Sequence, residues 1–359
     1  MEFLKNWFRE QFSNPQVVIL SMLLVVLTAT VYFFGNMLAP VIAAVVLAYL
    51  LQGIVHRLEN AGLPHLAAVT LVFLTFMTVL LILAFGLLPL LFRQMSQLFQ
   101  QVPRMVSEAQ KLLLQLPSQY PAFVNEVQIR DFMGTLGSEL IGFGQRALSY
   151  SVTSLVTLIT IIVYLILVPL MVFFMVRDKE KIVVWLTSFL PSQRQLANDV
   201  WAEVNDQIGN YVRGKVYEII IVGVVAYSVY RILGLQYAVL LSVITGLSVL
   251  IPYVGAAVVT IPVALVAYSQ WGVSASFYYV LIAYGIIQAL DGNLLAPLLF
   301  SEAVNLHPVA IIVAILFFGG LWGFWGVFFA IPLATVINAV VRAWPRAGDI
   351  ESASQAAGD

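Results

Sequence analysis

Long apolar runs alternate with two charged stretches along this chain. The runs lie at 16–34, 37–55, 66–92, 152–176, 216–234, 237–268, 275–300 and 308–341. A hydrocarbon layer about 30 Å thick is crossed by roughly 20 apolar helical residues. Only structures that satisfy their own backbone hydrogen bonds persist inside it. The pattern therefore predicts an all-α polytopic membrane protein with about eight hydrophobic helical segments. Gly35-Asn36 is a turn signal between the first two runs.

The charged stretches divide the chain further. Residues 93–150 hold nine charges and read as amphipathic helix outside the membrane core, broken near Pro103, Pro117 and Pro121. Residues 177–215 hold eleven and read as a charged cytoplasmic linker or helix, whereas 216–340 contain only Glu218, Arg231, Asp291 and Glu302. The expected organisation is N-terminal spans over 1–92, the amphipathic segment 93–150, a span at 151–176, the linker 177–215, a transport core at 216–342 and a disordered tail at 343–359. Lys5, Arg9, Arg57, Arg177, Lys179, Lys181, Arg213, Lys215, Arg342 and Arg346 flank the runs. The excess of Lys and Arg on the cytoplasmic side puts both termini on the cytoplasmic side of the membrane. Lys5 and Arg9 before the first run resemble a signal peptide, but the run is long and no A-x-A site follows, so it is read as a retained span.

Composition removes several classes. Apolar residues make up 61% and charged residues 10%, against about 25% charged in soluble domains, and the mean hydropathy is +0.96. A net charge of −1 gives no argument for a nucleic-acid partner. Without cysteine there is no thiol chemistry and no Cys-based metal site, and His56, His65 and His307 show no HExxH spacing. No Walker A loop, no second aspartate for an intramembrane protease and no convincing serine nucleophile stand in the apolar C-terminal region. The reading is a non-enzyme with no cofactor and no metal.

Two late runs are too long for one comfortable span. Each is interrupted, by Pro252-Tyr253-Val254-Gly255 in 237–268 and by Gly319-Gly320, Gly323 and Gly326 in 308–341. Each then carries a matching phrase, Ile261-Pro262-Val263-Ala264 and Ile331-Pro332-Leu333-Ala334, offset by 70 residues. Long kinked spans give eight crossings; re-entrant hairpins give six. With hairpins, the halves 216–268 and 275–341 enter from opposite sides, as in inverted-repeat secondary transporters. A shared Ile-Pro kink phrase without a repeat is the plainer alternative.

Asp291 is the sharpest chemical candidate. Its run is uncharged up to that point, and Gly292, Asn293 and Pro297 follow. An intramembrane carboxylate is costly enough to point to function, and a helix weakened at Gly292 and Pro297 would free carbonyls to join the Asp291 and Asn293 side chains around a cation. The competing role is a cap at the membrane surface. Glu218 stands three residues after Lys215 and five after Arg213, at the start of a run, and reads as an interfacial ion pair or a proton carrier. Arg231 reads as a snorkelling side chain. His307, before Pro308, reads as a helix-start turn or a proton-handling group. Pro252, Gly255, Gly319 and Gly320 are the candidate gating breaks. Trp271, Tyr278, Tyr279, Trp322 and Trp325 would line a path only if a cavity accompanies them. The small residues Gly319, Gly320, Gly323, Gly326 and Ala330 permit close helix approach, within or between subunits.

Several phrases together resemble the autoinducer-2 exporter family, the PerM-like permeases, over roughly 38–342. They are Leu38-Ala39-Pro40 with Leu47-Ala48-Tyr49-Leu50-Leu51, Phe173 through Lys181, Gly209-Asn210-Tyr211-Val212-Arg213-Gly214, Ile251 through Gly255, Gln288 through Pro297, and Leu306-His307-Pro308. The chain departs from the family at Ala256, where Pro is usual, at Asp291, where Glu is frequent, and near Gln52-Gly53, where a Pro is missing. The resemblance implies a multispan permease that exports a small polar metabolite such as autoinducer-2 or exchanges sodium ions and protons, in oligomers that include pentamers. The expected function is thus a secondary transporter driven by an ion gradient. The alternative is a non-transporting oligomeric membrane scaffold that organises partners through 93–150 and 177–215.

Overall fold

The computed structural model describes residues 15–113, scattered positions between 127 and 142, and residues 155–191, 194–252, 254–300 and 307–343. All ordered elements in these residues are helices. In chain order they are α1 (Pro15–Asn60), α2 (His65–Ile82), α3 (Leu88–Leu113), α4 (Leu155–Arg177), α5 (Lys179–Ser188), α6 (Gln195–Ile232), α7 (Ala238–Ser248), α8 (Val254–Trp271), α9 (Ala275–Leu290), α10 (Ala296–Phe300), α11 (Pro308–Phe328) and α12 (Ala330–Ala343). Single π turns at Leu83–Leu87 and Asp291–Leu295 join α2 to α3 and α9 to α10. Among the described residues, five stretches are long and apolar enough to cross a membrane: Gln16–Gly35, Met37–Asn60, His65–Glu108, Val254–Trp271 and Ala275–Phe300.

Two expected helix breaks are absent. No turn forms at Gly35-Asn36, because α1 runs through both residues and through Pro40. A helical Gly or Asn costs only about 1 kcal/mol or less, which apolar surroundings that penalise open backbone groups outweigh. Pro103 does not break α3 either. The polar and apolar faces of α3 are well separated, and Leu98, Val102 and Met105 are buried on either side of the proline, so packing offsets its lost bond. The change from charged to apolar sequence at 215/216 falls inside α6, one helix of 38 residues that continues across the border between the chain's two compact units at 214/215. Pro117, Pro121 and most of the remaining 93–150 segment lie outside the described residues, as does the tail after residue 343.

The chain divides into two compact units, one of residues 1–73, 167–214 and 299–359, the other of residues 74–166 and 215–298. In the second unit, α7 and α8 form an antiparallel helical hairpin. Its base is closed by Gln270, whose Oε1 accepts from the Gln236 backbone N–H while its Nε2 donates to the Gly234 carbonyl, both at 2.9 Å. Its tip is the turn that begins at Val249 and includes Pro252. Proline lacks an N–H to contribute to a helix, and the chain reverses at Pro252. Gly255 rests on the Ser248 carbonyl so closely that no side chain would fit. The core of this unit joins α3, α6, α7, α8 and α9 through Met105, Ala226, Tyr230, Leu241, Val263 and Val280.

In the first unit, α11 and α12 also fold back on each other. Ala314 and Phe318 pack with Ala330, Leu333 and Ala334. The chain leaves helical geometry at Gly323, with φ 58° and ψ −131°, not at Gly319 or Gly320. Gly323 alone in this region has the positive φ that glycine adopts without a Cβ clash. Gly319 instead admits the Val327 side chain, and Gly326 sits against the Phe318 carbonyl. These small residues close the chain's own hairpin and so give no argument for contact between subunits. Pro262 and Pro332, from the repeated phrase, lie inside α8 and α12 rather than at the breaks.

Candidate functional site

The buried charges of the second unit converge on one place. Lys215 and Glu218 are each 3% exposed and Asp291 is 9% exposed, and among the described residues no other charged side chain is buried. Lys215 and Glu218 stand three apart on α6, hence on one face. The Lys215 ammonium lies 2.5 Å from Glu218 Oε2. It also donates to the Val249 carbonyl at 2.9 Å. The Asp291 carboxyl, brought from α9, faces Glu218 and lies within electrostatic reach of the ammonium. Asp291 Oδ1 is buried with no hydrogen-bond partner among the described residues.

Helix packing explains this convergence. Gly223 of α6 and Gly246 of α7 lie so close that a Cβ on Gly246 would stand 2.7 Å from the Ile219 carbonyl. This tight crossing lowers the end of α7 onto Lys215. Tyr284 and Gln288 of α9 and Asp291, which follows its last residue, have the i, i+4, i+7 spacing of a single face. The Tyr284 hydroxyl donates to the Ala256 carbonyl at 2.5 Å. The π turn begins at Asp291, and such turns recur at functional sites. The Ala296 N–H reaches back to the Asp291 carbonyl, and Pro297 has no N–H. Neither the α nor the π pattern therefore supplies a donor to the Gly292 carbonyl.

The other candidates lie elsewhere. The exposed Asn293 turns its amide back to the Ala289 carbonyl at 2.8 Å, away from any shared site with Asp291. Arg213, in the first unit, bonds the Asn210 side chain at 2.9 Å and stacks over Tyr49. His307 caps α11, accepting from the Val309 N–H at 3.2 Å. Arg231 is exposed near the end of α6. Trp271 packs against the core, and Tyr278 and Tyr279 are exposed. Trp322 and Trp325 line a cavity of about 520 Å³ with Tyr32, Phe33 and Phe329.

Two features escaped sequence reasoning. Lys215 looked like one more interfacial cation; its burial depends on α7, which follows it in the chain. His56 and His65 looked scattered, but both meet Glu59. His65 Nδ1 lies 2.5 Å from Glu59 Oε1, its Nε2 lies 3.0 Å from the Arg177 carbonyl, and His56 Nδ1 lies 3.6 Å from Glu59 Oε2. They line a cavity of about 680 Å³ that also includes Arg177 through Lys181. Beside it, the Lys181 ammonium hydrogen-bonded to Asp178 holds that carboxyl below the usual carboxylate range. The His56–Glu59 spacing of three was the only signal in the sequence.

Several helices long and apolar enough to cross a bilayer define the class of multi-pass helical membrane proteins. Residues 20–346 match the pattern of the AI-2E family transporters, and the chain belongs to that family. It is 47% identical over 345 residues to the putative permease PerM of Escherichia coli K12, covering 96% of this chain and 98% of that protein. It is 28% identical over 337 residues to the putative transport protein YueF of Bacillus subtilis, covering 89% and 90%. It is a bacterial-type membrane transporter, and family membership makes it a permease rather than an enzyme.

Proposed function

We propose that this permease is an ion-coupled secondary transporter of the cytoplasmic membrane and that Lys215, Glu218 and Asp291 form its coupling site. The observation that carries this reading is the buried cluster of two carboxyls and one ammonium, with Asp291 Oδ1 unpartnered. Two carboxylates around one ammonium leave one negative charge uncompensated. A buried charge must be paired or neutralised, and a proton or a sodium ion supplies what is missing. The Gly292 carbonyl is a further oxygen beside Asp291 in the chain.

The cargo is a small polar solute of the autoinducer-2 kind, or the ions themselves in exchange. The hairpins 238–271 and 308–343 act as re-entrant elements of an inverted repeat; two helix pairs that fold back at Pro252 and Gly323 support that architecture. Both termini lie on the cytoplasmic side, and the protein works as a homo-oligomer. Asn293, Arg213 and His307 stand outside the proposed site.

Flux of autoinducer-2, and of sodium ions and protons, in proteoliposomes tests the reading. Asp291→Asn is expected to abolish ion-dependent flux while leaving assembly intact. Normal flux by that variant at every pH and sodium concentration would refute the site.

A further inference from the structure

The Lys215 ammonium has three donors and touches two different parts of the second unit. One is the carboxylate of Glu218. The other is the carbonyl of Val249, where α7 ends and the hairpin tip begins. The last carbonyls of a helix lack intrahelical donors, and a cation there is favoured by the helix dipole. The ammonium therefore stands between two competing negative poles, the carboxyl pair and the C-terminus of α7.

We propose that Lys215 is a positioning residue that couples the charge of the Glu218–Asp291 pair to the tip of the α7–α8 hairpin. The proposal rests on the reading of those carboxyls as the coupling site. When both carboxyls are charged, they draw the ammonium toward themselves and its bond to Val249 weakens. When a proton or cation neutralises one of them, the ammonium is released to Val249 and fastens the tip. Charged groups face this lysine from α6, as Glu218, and from the π turn after α9, as Asp291; α7 and α8 carry no charged residue. Glu108 of α3 meets the hairpin near its base, at Tyr268 and Ser269.

The tip is built to respond. Gly255 against the Ser248 carbonyl leaves the arms no slack, so a small displacement of Val249 must be taken up by the turn. Val254, at the start of α8, is 55% exposed and can carry a probe.

The chain has no cysteine, so Val254→Cys in the full-length protein accepts a single nitroxide. Reconstituted in nanodiscs, its spectrum reports tip mobility against pH. The mobile fraction is expected to rise several-fold from acid to alkaline pH. Lys215→Met should make it high at all pH values, and Lys215→Arg should restore the pH response. The double variant Glu218→Gln with Asp291→Asn should hold it low throughout. An unchanged pH profile in Lys215→Met overturns the proposal. If that variant fails to fold, the double variant decides: a retained pH response or a tip mobile at every pH overturns the proposal, and a tip held immobile throughout sustains it. Flux in the same preparations separates the two readings. Normal transport by Asp291→Asn removes the coupling-site reading, whereas a pH response that survives without Lys215 removes only the coupling lysine.

Discussion

The carbonyl oxygen of Ser248 occupies the place that a side chain on residue 255 would need. The contact is between backbone atoms, which cannot swing aside. Gly255→Ala is expected to destabilise the α7–α8 hairpin by about 1–3 kcal/mol, the usual range for overpacking a closed site. Thermal unfolding in detergent would measure it. An unchanged midpoint would mean that the tip is looser than described.

The buried cluster makes its members unequal. Lys215→Met strips two buried carboxyls of their cation and should cost about 3–5 kcal/mol, as when one partner of a buried pair is removed. Glu218→Gln keeps an acceptor for the ammonium and leaves Asp291 as its counter-charge, so it should cost clearly less. Denaturation of both variants at neutral pH gives the order. Equal losses would contradict the shared ammonium.

In the first unit, Tyr49 crosses residue 209 and stacks under Arg213. A methyl group at residue 209 would meet both the hydroxyl and the ring. Gly209→Ala should therefore cost roughly 1–3 kcal/mol, and adding Tyr49→Phe should recover part of it. If the second change gives no recovery, the hydroxyl is not the obstacle.

Gly323 holds φ 58° and ψ −131° at the turn between the α11 and α12 arms. That conformation strains any residue with a Cβ, at roughly 1–3 kcal/mol. Gly323→Ala should lower stability by that order, while Gly320→Ala, with open space around its Cβ position, should be tolerated. Paired melting curves of the two variants check this contrast.

Most of the helical content was legible in the chain, because membrane helices announce themselves by unbroken apolar length. The reversals at Pro252 and Gly323 were legible as interruptions, although only three-dimensional contacts show that the arms fold back. Gly35-Asn36 and Pro103 misled for a shared reason: local breakers lose to packing and to the cost of open backbone. At the site, Asp291 stood out because nothing charged precedes it in its run. The i, i+3 spacing predicted the Lys215–Glu218 pair, but not its burial. No rule of spacing joins Lys215 to Val249, 34 residues away, since that bond depends on how two helices cross at Gly223 and Gly246.

The π turn that starts at Asp291 holds one residue more than an α-helical turn would. One residue corresponds to about 100° of rotation around a helix axis. A surplus residue of this kind can be passed along a helix without unwinding it. If the turn relaxed to α geometry, Asp291 and the Leu294–Leu298 face would have to rotate against each other by that angle. A carboxyl directed at Glu218 in one register would face a different neighbour in the next, while the helix kept its length and nearly all its bonds. Such a relaxation would be a rotary step taken without breaking the helix.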